Sequence, residues 1–349
     1  MTAAVAVSGG RDSLLALALL RQRQHDLVAV HAQLASKTAP EVLDGLRQNC
    51  RILGVPFLSL DLRSRFEELV VAPYVQSYLA GRTPNPCVWC NVRIKFGLLL
   101  DAVRAQGVAT LATGHYARLE PEGSRTALWR GEDRAKDQSY FLAMLDQSQL
   151  ASAVFPLAAH NKKEVLAELK HLQLTPPLPS ESQEVCFIPG DYRIFLRDHL
   201  PQQPVSGQIL HVDGQPIGTH QGLWRYTVGQ RKGLDVPWSE PLYVLRKDLA
   251  ANRLIVGERN RLLRDICCLE SINYLVPFAA WPRNLHLQTR YRQHPEQVSL
   301  AGPSPSRSSS QPDRLVLCYR KPCEPAAPGQ IGVVYTSEGQ VLAGGLVQS

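Results

Sequence analysis

The sequence predicts an α/β fold: an open parallel sheet with helices on both faces, followed by two small β domains. Over the N-terminal part, short apolar runs of strand length alternate with longer runs of helical length. This alternation is typical of parallel βαβ units. From Gly207 onward the chain consists of short β-prone runs broken by Gly, Asp-Gly and Asn, which are typical of hairpins. The change in pattern indicates that the β domains follow the α/β domain.

The N-terminal elements are predicted one by one from these runs. In chain order they are a strand at 3–7, a helix at 13–24, a strand at 27–34, a helix at 40–54, a strand at 56–62, helices at 64–81 and 92–107, and a strand at 108–114. Ligands of open parallel sheets bind beyond the carboxyl ends of the strands. We therefore expect the functional site at that edge of the sheet.

The chain is long enough for several domains, since 349 residues exceed one average domain. We predict a catalytic α/β domain at 1–195, a small central β domain at 196–260 and a C-terminal β-barrel-like domain at 261–349. Residues 294–312 are rich in Ser and Pro and can bury little. We predict that this segment is a mobile surface insertion.

The composition favours a polyanionic partner. The formal charge is +7 and the pI is near 9.0, and Lys and Arg that neutralise phosphates release counterions on binding. A mildly basic, solvated surface explains the same charge equally well. The apolar N-terminus is interrupted by Arg11 and Asp12, and no other stretch approaches membrane-spanning length. We expect a cytoplasmic protein without membrane contact, whose eight scattered cysteines serve packing or chemistry.

The first motif is Ser8-Gly9-Gly10-Arg11-Asp12-Ser13, between a predicted strand and a predicted helix. Two glycines let the backbone turn sharply and approach a ligand, and amides at a helix N-terminus attract phosphate oxygens. An ordinary Gly-rich turn with an N-capping Ser is the alternative. The position after a strand favours a phosphate loop.

The second motif is Thr83-Pro84-Asn85-Pro86-Cys87-Val88-Trp89-Cys90-Asn91. A helix that begins near Cys90 would place its thiol at a positive dipole end, which would lower its pKa and favour thiolate. Cys87 and Cys90 also fit half of a zinc site or a redox pair. Zinc normally needs a second Cys/His pair at suitable spacing, and the sequence offers none.

The third motif is Ser182-Gln183-Glu184-Val185-Cys186-Phe187-Ile188, which follows a Pro-rich loop. In isolation Cys186 is better explained as a buried apolar cysteine. The presence of the two other motifs favours a chemical role.

The three motifs in this order closely resemble those of the tRNA-specific 2-thiouridylases, the MnmA family. The first resembles the SGG-x-DS loop of N-type ATP pyrophosphatases, which cleave ATP between its α and β phosphates. Further matches span nearly the whole chain: Thr113–Arg118, Lys136–Phe141, Tyr226–Arg231, Asn252, Arg290-Tyr291 and Pro328–Gln330. The resemblance implies an adenine nucleotide alpha hydrolase-like fold for 1–195 and a tRNA-facing domain at 261–349.

The resemblance also implies residue roles. ATP would be bound by Ala6, Val7, Ser8, Gly9, Gly10, Arg11, Asp12, Ser13, Ala32 and Gly114. Asp12 and Ser13 would lie beside the pyrophosphate and Mg²⁺, without a dedicated metal site. The target base would contact Asn85, Pro86 and Cys87, and tRNA would contact His115, Lys136, Asp137, Gln138, Arg290, Tyr291 and Gln330. Taken singly, each tRNA candidate is as well explained by a solvated charge or a packed side chain.

Three positions depart from the family pattern. Arg11 stands where Val is usual, so a cation lies next to the phosphate loop, pointing outward or touching phosphate. Ala32 replaces a Met that commonly borders the adenine. Cys87 stands where many relatives have Asp, a potential general acid or base. Other relatives carry Cys there, so the reaction does not depend on that carboxylate.

The implied reaction replaces the C2 oxygen of a wobble uridine in the tRNA anticodon loop with sulfur. ATP would adenylate that oxygen, and a Cys186 persulfide would supply sulfur, leaving Cys90 and Cys186 as a disulfide. An upstream donor such as a cysteine desulfurase or a sulfur-relay protein would load the persulfide. Two other functions stay open: a different ATP pyrophosphatase, such as an amidotransferase-type synthetase or a tRNA lysidine synthetase, and an RNA-binding protein with a degenerate nucleotide fold.

Overall fold

The computed structural model describes residues 2–23, 26–178, 185–188, 190–200, 205–301 and 311–348. Ser182, Gln183 and Glu184 of the third motif lie outside these residues. The chain divides into two compact units: the first comprises 1–71, 86–187 and 339–341, and the second comprises 72–85, 188–338 and 342–349. The domain boundaries after 195 and 260 stay predictions.

A parallel sheet forms the centre of the first unit. The strands of this unit are β1 (Thr2–Ala6), β2 (Asp26–Gln33), β3 (Phe57–Asp61), β4 (Thr110–Ala112), β5 (Ala117–Glu122), β6 (Arg125–Arg130) and β7 (Ala153–Val154). Five of them pair in the order β3-β2-β1-β4-β7, all parallel, with Val5 opposite both Ala29 and Ala112. β5 and β6 form a separate antiparallel hairpin. The predicted parallel sheet is confirmed.

The helices are α1 (Arg11–Gln22), α2 (Pro40–Leu53), α3 (Arg63–Phe66), α4 (Ala72–Leu79), α5 (Pro86–Trp89), α6 (Leu100–Arg104), α7 (Gln147–Ala151), α8 (Val165–His171), α9 (Tyr192–His199) and α10 (Arg259–Leu262). α1 is apolar on nearly every side because Leu17 and Leu20 pack with the sheet and α2, while Leu14 and Leu15 pack with α8. Within the described residues, no helix combines the length and apolar character that crossing a membrane requires.

Two predicted helices differ from the structure. The helix predicted at 64–81 contains a π-helical segment, Glu67–Val71, between α3 and α4. The helix predicted at 92–107 begins earlier, with α5, and continues through a second π-helical segment, Cys90–Leu99, into α6. Gly97 interrupts this segment with φ −102° and ψ −106°. Apolar spacing predicts a helix but does not distinguish α from π winding, so the π-helical segments could not be predicted from it.

The second unit contains a four-stranded sheet, as the hairpin-like pattern predicts. Its strands are β8 (Gly207–His211), β9 (Pro216–His220), β10 (Tyr243–Asp248) and β11 (Arg253–Gly257). They pair in the order β10-β11-β8-β9, with β11 parallel to β8 and the other pairs antiparallel. Val244, Leu254 and Val256 are fully buried in its core.

The C-terminal strands close into a barrel. They are β12 (Arg264–Tyr274), β13 (Leu285–Gln288), β14 (Glu296–Leu300), β15 (Arg314–Cys323), β16 (Ile331–Thr336) and β17 (Val341–Val347). The barrel order is β12-β15-β14-β13-β16-β17, and Leu269, Leu287, Leu317 and Val334 are fully buried inside it. The predicted α/β fold followed by small β domains is confirmed.

The surface insertion predicted at 294–312 is wrong for its first part. Glu296–Leu300 form β14, which pairs with both β13 and β15 and buries Val298. The exposed Gln297 and Ser299 alternate with the buried Val298 and the half-buried Leu300, but the nearby Ser and Pro residues obscure this two-residue period. Residues 302–310 of the predicted insertion lie outside the described residues.

Candidate active site

The phosphate loop, Ser8–Ser13, connects β1 to α1. Gly9 has φ +91°, a left-handed conformation that favours glycine, and Gly10 is the N-cap of α1. The Ser13 hydroxyl donates to Gly10 O at 2.9 Å and accepts from Ser8 N at 3.1 Å, which closes the loop on itself. The first amides of an α-helix have no acceptor within the helix. This loop therefore presents donors to an anion at the carboxyl end of β1.

The other predicted ATP residues lie on the same sheet edge. Ala6 ends β1 and Val7 follows it, Ala32 is the penultimate residue of β2, and Gly114 follows β4 by two residues. A side chain at Gly114 would lie 2.8 Å from the backbone carbonyl carbon of Asp12, so this glycine lets β4 approach the phosphate loop closely. The geometry brings these residues together, as expected for one ligand site.

Two residues that sequence reasoning did not assign complete the phosphate loop. Lys162 forms an ion pair with the Asp12 carboxylate, and its side chain is 9% exposed. The Tyr116 hydroxyl donates to the other Asp12 oxygen at 2.9 Å, and the Lys162 ammonium lies 5.4 Å from the Tyr116 ring centroid. Tyr116 lies within Thr113–Arg118, one of the stretches that resemble the MnmA family. Lys162 is followed by a second lysine, and its sequence context does not distinguish it from a solvated charge. Only the fold brings Lys162 to Asp12.

Three cysteines, Cys87, Cys90 and Cys186, form a cysteine cluster in the first unit. Cys90 is buried, Cys87 is half-buried and Cys186 is exposed. Loss of solvation beside neighbouring protein atoms raises the pKa of each thiol, to about 12 for Cys90, and the positive charge of Lys95 opposes that rise in all three. A negative charge on Cys186 further raises the pKa of Cys87 and of Cys90. The three sulfurs therefore share one electrostatic environment.

The expectation that a helix N-terminus lowers the pKa of Cys90 is wrong. The helical stretch begins at Pro86, so Cys90 follows the whole of α5 and opens the π-helical segment instead of capping a helix. Desolvation is the largest influence on the pKa of its thiol, and it favours the neutral form. In this structure Cys90 is a protonated thiol at neutral pH.

The candidate tRNA residue His115 is buried, with 8% exposure. Its Nδ1 lies 2.7 Å from Thr113 Oγ1, and its Nε2 lies 3.5 Å from Lys95 Nζ. Burial, followed by the charge of Lys95, lowers the pKa of His115 well below its usual value, so the ring is neutral. The structure thus gives His115 protein partners at both ring nitrogens. RNA contact by this ring stays a prediction.

The next candidate tRNA segment is also tied to the protein. The Asp137 carboxylate accepts from Arg130 Nε at 2.7 Å, from the backbone amide of Gly131 at 3.0 Å, and from the amide and hydroxyl of Ser139. Its side chain is 2% exposed. Gln138 Oε1 accepts from the backbone of the loop after β4, at Tyr116 N. Asp137 is buried in this turn, whereas Lys136 and Gln138 are half-buried.

In the second unit, the candidate residue Gln330 holds the loop that precedes the target-base motif. Its Nε2 donates to Thr83 O at 2.7 Å, and Thr83 N donates to Pro328 O at 2.7 Å. Asn85, two residues further on, is half-buried. Pro86 is buried at the start of α5.

The last two candidates for tRNA contact belong to the turn after β13. Arg290 is exposed and donates to Pro325 O at 2.9 Å. Tyr291 is half-buried, and its backbone oxygen accepts from Gln288 Nε2 at 2.7 Å. Among the described residues, no group of three or more His, Cys, Asp and Glu side chains is placed to hold a metal ion.

Comparison with known proteins gives matches over the full chain. The family model described as tRNA methyl transferase HUP domain matches residues 1–190, and the model described as tRNA methyl transferase PRC-barrel domain matches residues 193–258. The tRNA-specific 2-thiouridylase MnmA of Nitratidesulfovibrio vulgaris (strain Miyazaki F) is 48% identical over 99% of this chain and 99% of the relative. The protein of the same name from Oleidesulfovibrio alaskensis is 45% identical over 100% of this chain and 99% of the relative.

Among solved structures, a 4-thiouridine synthetase–RNA complex with bound ATP is similar with a TM-score of 0.37 and 16% sequence identity. The match covers 57% of this chain and 50% of that chain.

Proposed function

This chain belongs to the MnmA family of tRNA-specific 2-thiouridylases, enzymes of tRNA thiolation, and on that premise we propose a two-stage reaction at the first unit. In the first stage, the C2 oxygen of a wobble uridine attacks the α phosphorus of ATP, forming an adenylated base and releasing pyrophosphate. In the second, a sulfur carried by Cys186 replaces that oxygen and AMP leaves. The observation that carries the proposal is the occurrence, in one compact unit, of a phosphate loop and a cysteine cluster.

The chemistry requires activation before sulfur transfer, since the C2 oxygen of uridine is a poor leaving group. The amides at the start of α1 and the buried ammonium of Lys162 would stabilise the charge that develops on the phosphates. The fit for ATP is supported by Gly114, where a side chain would collide with the backbone of Asp12 and Ser13 in the phosphate loop. Mg²⁺ bound with ATP would supply further neutralisation, and Asp12 offers a carboxylate oxygen for it.

Sulfur transfer would use two residues of the cysteine cluster, Cys186 and Cys90. The terminal sulfur of a Cys186 persulfide attacks C2 and displaces AMP, and the Cys90 thiolate then attacks the Cys186 sulfur, leaving 2-thiouridine and a Cys90–Cys186 disulfide. Alternatively Cys90 attacks first and releases sulfide, which attacks C2. Both routes end at the same disulfide, which two electrons from a dithiol reductant reopen. The exposure of Cys186 suits loading by a sulfur-donating protein, such as a cysteine desulfurase or a relay protein.

The substrate in this proposal is the anticodon loop of tRNA, whose unstacked bases can be splayed into a site. The net charge of +7 supports binding to phosphates and predicts that affinity falls as salt rises. Since tRNA is matured and used in the cytoplasm, we place the reaction there.

The proposal is tested with unmodified tRNA, ATP, Mg²⁺, cysteine desulfurase and cysteine, followed by mass spectrometry of the nucleosides. We expect 2-thiouridine and AMP from the wild-type chain, and no 2-thiouridine from Cys186→Ser or Cys90→Ser. Cys268→Ser, in a half-exposed barrel cysteine outside the cluster, is the matched control and should retain activity.

Three other outcomes would overturn parts of the proposal. AMP formation without 2-thiouridine and without dependence on the two cysteines would favour another ATP pyrophosphatase. Binding of tRNA without ATP turnover would favour a degenerate RNA-binding protein. Recovery of 2-thiouridine by Cys186→Ser when inorganic sulfide is added would show that free sulfide can attack the adenylated base and would favour the released-sulfide route over direct attack by the persulfide.

A further inference from the structure

The π-helical segment Cys90–Leu99 changes which side chains share a face. In an α-helix, a residue five positions on lies about 140° around the axis from its predecessor. The i→i+5 hydrogen bonds of a π-helix instead bring residues five positions apart onto one side. Cys90 is the first residue of this segment and Lys95 is the sixth. The winding therefore turns Lys95 toward the side of the helix that carries Cys90.

The Lys95 ammonium is held by a neutral histidine. Lys95 Nζ lies 3.5 Å from His115 Nε2, and an ammonium has hydrogens to donate but no lone pair, so Nε2 is the acceptor. Nδ1 then carries the ring proton and donates to Thr113 Oγ1 at 2.7 Å. Phe96 and Phe155 pack around the imidazole at centroid distances of 6.4 and 5.7 Å. The ring is fixed in place, and it fixes Lys95.

The charge of Lys95 acts on the whole cysteine cluster. It is the cation common to the electrostatic surroundings of Cys87, Cys90 and Cys186, and in each case it favours the anionic form of sulfur against desolvation. Cys186 raises the pKa of Cys87 and of Cys90, and Cys87 raises that of Cys90, whereas a backbone hydrogen bond at Cys186 lowers the pKa of its own thiol. Lys95 is therefore the counter-charge of this cluster.

We propose that Lys95, positioned by His115, is the counter-charge that stabilises a sulfur anion when one forms in the cysteine cluster during sulfur transfer. The role of that anion in sulfur transfer rests on the function proposed above. The electrostatic effect of Lys95 on the thiols does not, because it requires neither tRNA nor ATP. Lys95 and His115 are positioning residues here, because they act through Cys90 and Cys186. Thiol deprotonation releases the proton to solvent and adds no covalent step to the reaction.

The segment supplies a matched control. Arg93 lies two residues before Lys95, and its guanidinium stacks on Trp89 at 4.8 Å and donates to Leu69 O at 2.9 Å. Its charge has no part in the electrostatic surroundings of the three thiols. Arg93→Met and Lys95→Met therefore remove the same charge from the same π-helical segment, with different expected effects on sulfur.

The experiment is pulsed alkylation of the full chain by iodoacetamide at pH 8, with the rate at each cysteine read by peptide mass spectrometry. It requires neither tRNA nor ATP, so its failure is separable from failure of the proposed function. We expect Lys95→Met and Lys95→Gln to slow alkylation of Cys186 by about tenfold, the effect of about one unit in thiol pKa. Lys95→Arg and Arg93→Met should react at the wild-type rate.

Cys50, buried in α2, serves as an internal reference for folding, since its alkylation rises only if the variant unfolds. Equal Cys186 rates in the wild type, Lys95→Met and Lys95→Gln, with Cys50 still protected, would overturn the proposal. A loss of the same size in Arg93→Met would also overturn it, because the effect would then belong to the segment and not to Lys95. A second readout is the His115→Gln variant, whose amide is a weaker anchor for the ammonium and should give an intermediate rate.

Discussion

Replacing Lys162 with Met removes the ammonium that pairs with Asp12 in the phosphate loop. The Lys162 side chain is 9% exposed and that of Asp12 is 28% exposed, so this ion pair is neither fully buried nor fully exposed. Removing one partner of a fully buried pair costs about 3–5 kcal/mol, and exposed pairs contribute about 0–1 kcal/mol. Tyr116 still donates to Asp12 in the variant. We expect a loss of about 2 kcal/mol in the free energy of unfolding.

Lys162→Met should also weaken ATP binding directly, beyond any effect of the lost stability. Lys162→Met leaves the Asp12 carboxylate without its cation beside the expected phosphate position. A hydrogen bond to a charged group contributes about 1.5–3 kcal/mol, which corresponds to roughly 10- to 100-fold in affinity. We expect the Kd for ATP to rise by that factor at a temperature where the variant remains folded.

The assay pairs urea unfolding with ATP titration by calorimetry, and Lys163→Met is the matched control. Lys163 is the next residue along the chain and is exposed, so its loss should change both quantities little. Wild-type ATP affinity in a folded Lys162→Met variant would refute the assignment of Lys162 to the phosphate site. Equal losses in Lys162→Met and Lys163→Met would show a general charge effect instead.

Three further predictions follow from single side chains. Gln330→Ala removes the amide that binds Thr83 O, and steady-state thiolation should show kcat/KM for tRNA lowered about fivefold by the loss of about 1 kcal/mol, with KM for ATP unchanged. An unchanged kcat/KM would contradict this role for Gln330. The Cys90 thiol is neutral below its pKa of about 12, so its alkylation rate in the free protein should rise about tenfold per pH unit from pH 8 to 10. A plateau near pH 8 would contradict burial of this thiol. Asp137→Ala removes a buried carboxylate that accepts from Arg130 and from the Gly131 amide, and thermal unfolding should show a loss of about 3 kcal/mol that the Asp137→Asn variant partly restores. Wild-type stability of Asp137→Ala would be incompatible with the buried network.

The fold was predictable where the buried residues of an element form a recognisable apolar pattern in the sequence. The strands β1 to β4 were found because strands of a covered parallel sheet are mostly apolar. β7 has only two residues, too few to form a pattern, and the Ser and Pro residues near β14 obscure its alternation. The π-helical segments escaped because their apolar residues also fit an α-helix. Elements that depend on tertiary pairing for their existence were the ones missed.

The candidate site was predictable where its residues are adjacent in the sequence. The phosphate loop and both cysteine motifs are local, and their residue types alone indicate phosphate binding or thiol chemistry. Lys162 reaches Asp12 across 150 positions, so no spacing rule connects them. The partnership of Lys95 with His115 requires the π-helical winding and the loop after β4 together. Sequence reasoning named the candidate reacting groups and missed the charged side chains that the fold brings beside them.

The candidate tRNA residues divide into two kinds in the structure: some are exposed, and others are buried and bonded to the protein. A motif fixes which residue occupies a position, but the direction of its side chain depends on packing. Arg290 is exposed, so its substitution should act mainly on RNA affinity and on the salt dependence of binding. His115 and Asp137 point inward and are bonded to the protein, so their substitution should act on the shape of the site and on stability. An effect on thiolation therefore does not by itself identify an RNA contact; a change in the salt dependence of tRNA binding does.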